Sequence, residues 1–93
     1  MREIERTGQF KRDFRRESKG RYAATLRGEL IAALELLVED LPLPPKYRDH
    51  PLSGRWAEFR DCHIRPDLVL IYRKPDAHRL QLVRLGSHSE LGL

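Results

Sequence analysis

Ninety-three residues suit one domain, read here as residues 1–93, and a chain this short buries only roughly 60–65% of the surface it exposes when unfolded. A single cysteine excludes an intramolecular disulfide, so packing and hydrogen bonds must hold the fold, as suits a reducing cytoplasm. The opening Met1-Arg2-Glu3-Ile4-Glu5-Arg6 lacks a signal peptide's apolar core, and no apolar run approaches the ~20 residues of a membrane span, so a cytoplasmic protein without a membrane partner is expected. Charge is unevenly spread: +8 −4 in residues 1–21, +1 −4 in 22–45 and +9 −6 in 46–93, for a net +4 with the histidines neutral. Basic ends favour phosphate-rich or acidic partners, though charge alone selects no function.

Residues 2–6 form a short strand candidate. Thr7 can cap a helix over 8–19 whose Phe10 and Phe14 share a face, with Lys19-Gly20 as a basic last turn and stop. From Arg21 the residues Leu26, Leu30, Ile31, Leu34, Leu37, Val38 and Leu41 repeat at helical spacing until Pro42, which predicts a second helix over 21–41. Residues 42–54 hold four prolines and end in Ser53-Gly54, the signature of an ordered, irregular loop. Three strands are then expected at 55–60, 62–73 and 79–85, with Lys74-Pro75-Asp76-Ala77 as a hairpin turn and Ser87 to Leu91 as a short tail. The order strand, helix, helix, strand, strand, strand describes an α+β fold, with an antiparallel helix pair packed on a small, mostly antiparallel sheet.

Three of the four histidines stand beside turn or strand-end signals: His50 before Pro51, His63 before Pro66 and His88 after Gly86. Loops at strand ends are where sites are built, although any one of these taken alone reads as an idle surface histidine. His78, beside Arg79 in a turn, reads as surface. In extended chain His63, Arg65 and Asp67 point to one side, so a carboxylate could fix the tautomer of an imidazole there; an ordinary edge ion pair is an equal reading. A metal centre from His50, Cys62, His63 and His88 lacks any zinc-like spacing, so no metal or other cofactor is expected. Cys62 reads as a small buried hydrophobe rather than a catalytic thiol.

The sequence resembles the YafQ branch of the RelE toxin superfamily, the toxin half of type II toxin–antitoxin pairs, over almost its whole length. The resemblance rests on Thr7-Gly8-Gln9-Phe10, Leu41-Pro42-Leu43-Pro44 with Tyr47, Asp49-His50-Pro51-Leu52-Ser53-Gly54 with Trp56, Arg60 through Asp67, Leu70-Ile71-Tyr72, and Arg84-Leu85-Gly86-Ser87-His88-Ser89. It implies an endoribonuclease that cleaves mRNA in the ribosomal A site and is neutralised by a cognate antitoxin. It also implies a catalytic group of His50, His63, Asp67 and His88, with Arg84 nearby. One departure stands out: proteins of this branch usually end His-x-x-Leu-Phe, with the aromatic by the substrate base, whereas here Leu91 is followed by Gly92.

Metal-free RNA cleavage needs a base for the 2′-OH proton, positive charge on the phosphoryl oxygens and an acid for the leaving 5′-oxygen, and histidine serves both proton roles near neutral pH. The expected assignment is His50 as base, His88 as acid, His63 and Asp67 as an orienting pair and Arg84 as phosphate clamp, with base and acid exchangeable. Lys46, Arg48, Arg55 and Arg65 flank this group as candidate phosphate contacts, or else form a solvated basic rim. The rival reading is a non-catalytic protein of the same fold, acting on DNA gyrase as ParE toxins do or only binding an antitoxin; the trio of histidines favours the nuclease.

Overall fold

The computed structural model describes residues 1–93. Its elements in chain order are β1 (Glu3–Arg6), α1 (Gly8–Glu17), α2 (Leu26–Val38), β2 (His50–Pro51), β3 (Arg60–Arg65), β4 (Leu68–Arg73), β5 (Arg79–Gly86) and α3 (His88–Leu91). Short 3-10 turns at Pro45–Tyr47 and Gly54–Trp56 flank β2. The strands form one five-stranded mixed sheet in the order β1-β5-β4-β3-β2. Only the β1–β5 pairing is parallel. β1 is an edge strand beside β5, and the helix pair that follows it crosses one face of the sheet before the chain enters the antiparallel strands.

Helix α1 starts where Thr7 Oγ1 accepts the Phe10 N–H at 3.0 Å; the same hydroxyl donates to the Val83 carbonyl at 2.9 Å, tying the helix start to β5. Helix α2 begins at Leu26 rather than Arg21, because residues 18–25 close as successive turns, with Ala23 N–H bonded to Gly20 O and Thr25 N–H to Tyr22 O. Its buried stripe is Leu26, Leu30, Ala33, Leu37 and Val38. Ile31 and Leu41, expected on that stripe, are exposed at 46% and 52%. The helix ends at Val38 because Asp40 takes a left-handed backbone, φ 57°, and Leu41 N–H turns back to Leu36 O.

The strands differ from expectation in three places, the first being that His50–Pro51, inside the expected irregular loop over 42–54, pair with β3 as β2. Residues 55–60 are not a strand: Gly54–Trp56 coil into a 3-10 turn, and only Arg60 enters the sheet. The expected single strand over 62–73 is a hairpin, β3 and β4, folded back at Pro66-Asp67 with Arg65 paired to Leu68. Proline cannot donate to a ladder and sets its own φ, so the chain reverses there despite the apolar run that follows. The main core lies between the helices and one sheet face and includes Phe10, Leu26, Leu70, Tyr72 and Leu82. On the opposite face Val69 and Ile71 are covered by Leu91 of α3 with Leu52, Trp56 and Phe59. No helix is long and apolar enough to cross a membrane.

Candidate active site

Side chains alternate along β3, so Cys62 and Ile64 enter the helix-facing core while Asp61 and His63 emerge on the other face. Pairing of β2 with β3 sets His50 directly opposite Asp61. The segment before His50 is pinned by Asp49, whose carboxylate accepts from Tyr72 Oη at 2.5 Å and Arg60 Nη2 at 3.1 Å. Arg48 adopts a left-handed backbone, φ 47°, and its carbonyl oxygen lies 2.6 Å from His50 Nδ1. That contact assigns the proton to Nδ1.

His88 arrives from the other end of the sheet. Gly86 ends β5, and Ser87 caps α3 through a reciprocal capping box with Glu90, which fixes His88 as the first helical residue. Asp67, carried on the β3–β4 turn, accepts both the backbone N–H of His88 at 3.1 Å and its Nδ1–H at 2.7 Å. These bonds hold the Asp67 carboxyl below its usual pKa, the ring hydrogen bond contributing most.

The three imidazoles therefore meet. The His63 ring lies 5.0 Å from that of His88 and 6.5 Å from that of His50, centroid to centroid. They line an open cavity of about 480 Å³ with Arg55, Trp56, Asp61 and Gly92. His50 and His88 are half-exposed, and the Nδ1 of each is engaged, leaving Nε2 for chemistry. Burial pushes the pKa of His63 below the ordinary histidine value; Asp61 opposes this, and the charges of His88, Arg48 and His50 add to it. Its surroundings thus favour the neutral ring.

Asp61 carries no sequence signal of its own. It is 3% exposed, and its Oδ1 lies 3.2 Å from His50 Nδ1 without the direction of a hydrogen bond or any other donor. Burial raises its pKa, while His50, His63 and His88 pull it back. A buried carboxylate without a fixed cation beside three titratable rings favours an imidazolium among them. The only signal for it was its register against His50, which a strand reading of 55–60 conceals.

The expected orienting pair of His63 and Asp67 does not form, because the turn at Pro66 and an irregularity between His63 and Arg65 carry Asp67 to His88. Arg65 is drawn the other way, its Nε bonded to Glu29 at 2.9 Å and its Nη2 to Thr25 at 3.0 Å. With Lys46 and His63 it lines a second cavity of about 440 Å³. Arg84 is likewise engaged: its Nε donates to buried Asp13 at 2.7 Å, and it is absent from the histidine cavity's lining. Among the four flanking cations only Arg55 lines the cavity with all three histidines. Cys62 is fully buried on the helix-facing side, its thiol pKa raised by burial, which removes it from any set with the histidines. No three His, Cys, Asp or Glu side chains converge with metal-ligand geometry.

This architecture has known counterparts. The family described as "Bacterial toxin of type II toxin-antitoxin system, YafQ" matches residues 2–92. The mRNA interferase toxin YafQ of Escherichia coli K12 is 39% identical over 91 residues, covering 98% of this chain and 96% of that protein. A crystal structure of YafQ from E. coli strain BL21(DE3) superposes with a TM-score of 0.84 at 36% identity, each chain 98% covered. In the DinJ–YafQ toxin–antitoxin complex the TM-score is 0.77 at 36% identity, covering 97% of this chain and 96% of that one. A metal-bound toxin from Helicobacter pylori gives a TM-score of 0.81 at 40% identity, covering 98% and 99%. The helix pair, the mixed sheet and the sequence match over residues 2–92 agree, and the chain belongs to the RelE/YafQ family of type II toxin–antitoxin mRNA interferases.

Proposed function

We propose that this chain is a ribosome-dependent endoribonuclease that cleaves mRNA by histidine acid–base catalysis without a metal, and that a cognate DinJ-like antitoxin silences it. The observation that carries the reading is the pairing of two half-exposed imidazoles, each with Nδ1 held by an oxygen, on either side of the His63 ring. An imidazole fixed at Nδ1 presents Nε2 to a substrate as base when neutral and as acid when protonated.

In this mechanism His50 Nε2 takes the proton of the ribose 2′-OH, the 2′-oxygen attacks the adjacent phosphorus, and the bond from phosphorus to the 5′-oxygen breaks. His88, as imidazolium steadied by Asp67, gives its proton to that leaving oxygen. The products are a 2′,3′-cyclic phosphate and a 5′-hydroxyl end. His63 sits between the two and hydrogen-bonds the phosphoryl group. Arg84 supplies positive charge; its Nε and Nη2 both donate to Asp13, so phosphate contact falls to Nη1. Lys46, Arg48 and Arg65 carry the flanking phosphates, with Lys46 and Arg65 at the second cavity. DNA lacks the attacking hydroxyl and is not cut.

The test is mapping of mRNA 5′ ends after induction of the protein, paired with cleavage on programmed ribosomes by EDTA-treated protein. Codon-specific new ends that survive chelation support the reading. Loss of activity on chelation, restored by zinc, replaces it with a metal mechanism; unchanged growth and translation at verified expression removes the toxin claim.

A further inference from the structure

The lining of the histidine cavity also carries a cation that phosphate binding alone does not explain. The Arg55 guanidinium carbon lies 5.4 Å over the Trp56 ring centroid, within cation–π range. Trp56 itself is held in place by Phe59, edge to face at 5.2 Å, on the small core beneath α3. Arg55 is exposed and also rests against Gly92: a Cβ at that residue would lie 3.1 Å from Nη2. Gly92 has φ 72°, where a side chain is strained, so its missing side chain is what leaves room for the guanidinium.

A planar cation laid on an indole is a pre-ordered surface. Single-stranded RNA bases stack on aromatic rings or on arginine planes, and arginine, unlike lysine, offers a flat face as well as charge. We propose that Arg55, seated on Trp56 and fitted against Gly92, is the platform on which the base beside the scissile phosphate stacks, making it a specificity-determining residue rather than one more phosphate contact. This rests on the RNA-cleavage reading for its substrate. The second cavity, on the other side of His63, then takes the next nucleotide outward along Lys46 and Arg65.

Trp56 is the chain's only tryptophan, so its fluorescence reports on this wall alone. The probe is a short single-stranded RNA with a 2′-deoxy nucleotide at the would-be cleavage point, compared with the same RNA made abasic at the neighbouring position. Wild-type protein is expected to show quenching on binding. Arg55→Ala and Arg55→Lys are both expected to weaken binding, and to raise KM for cleavage on programmed ribosomes, by about 5- to 150-fold. That loss should vanish with the abasic RNA. Arg55→Lys behaving as wild type, an equal loss with abasic RNA, or unchanged KM in Arg55→Ala would each overturn the platform by leaving only a charge contact or none. Base-dependent quenching without ribosomal cleavage by wild type sinks the nuclease reading and keeps the platform. Cleavage with no Arg55 dependence does the reverse. Arg55 is exposed, and unchanged melting temperatures of both variants establish that folding is not the cause.

Discussion

Asp13 gives the sharpest statement about what holds this fold together. It is fully buried, and its carboxylate accepts from Arg84 Nε at 2.7 Å, Arg16 Nη1 at 2.9 Å and the Leu85 backbone N–H at 3.0 Å. It therefore clamps α1 to the end of β5, one residue from the glycine that leads to His88. Breaking a buried ion pair from one side costs roughly 3–5 kcal/mol, because the partner charge is left behind. Here the Arg84 side chain is 22% and the Arg16 side chain 41% exposed, so both can rehydrate in part, and the lower end, about 3 kcal/mol, applies. For a chain of this size that is roughly a 12–24 °C fall in melting temperature in Asp13→Ala. Circular dichroism melting and urea denaturation measure it directly. A loss below about 1 kcal/mol would show that the cluster behaves as an exposed pair and would refute the argument. The acid limb is a second check. Burial alone raises the Asp13 pKa, but the Arg84 hydrogen bond, the Leu85 N–H and the two arginine charges outweigh it and leave it lowered. Its contribution is present above the unfolded value, ~3.9, and is lost as pH falls through the folded value, so wild type should shed stability there more steeply than Asp13→Ala.

Four further outcomes follow from other parts of the structure. Asp61→Asn removes a buried charge that supports imidazolium, so the acid limb of the cleavage rate should move to lower pH; an unchanged pH profile would count against that role. Because the Asp61 pKa is raised, its ionised form opposes folding, and the same variant should be no less stable than wild type at neutral pH, as a thermal melt will show. Cys62 should resist alkylation by iodoacetamide at pH 8 in the folded protein and react once unfolded in urea; rapid native labelling would contradict its burial. Binding of an acidic antitoxin segment to the basic ends of the chain should weaken with added salt, whereas salt-independent affinity would place the contact on apolar surface instead.

Much of the fold was legible because its signals are local. Thr7 as cap, the Leu26-to-Val38 stripe and the loop rich in proline each act within a few residues of themselves. The histidines were legible as a set because each follows or precedes a turn signal. What escaped notice depends on pairing across the chain. The run Leu68 to Tyr72 is buried on both faces, so it lacks the alternation that marks a strand's edges, and its apolar pattern hides the turn at Pro66-Asp67. With that turn hidden, the spacing pairs Asp67 with its sequence neighbour His63, whereas the hairpin carries it to His88, 21 residues away. Asp61 and Asp13 escaped for the same reason: the first matters only through β2–β3 register, and the second only because α1 crosses β5. The parallel pairing of β1 with β5 likewise has no local signature.

The central claim is that His50 and His88 move the protons of RNA cleavage, and it is tested most directly by codon-specific cleavage on programmed ribosomes. EDTA-treated wild type is compared with His50→Ala, His88→Ala and the surface control His78→Ala. Both site residues sit in half-exposed positions where truncation opens no core cavity, so folding and antitoxin binding should persist. Each site variant is expected to lose roughly 10²- to 10⁴-fold in rate while His78→Ala cleaves as wild type does. Full activity in His50→Ala and His88→Ala would contradict the account.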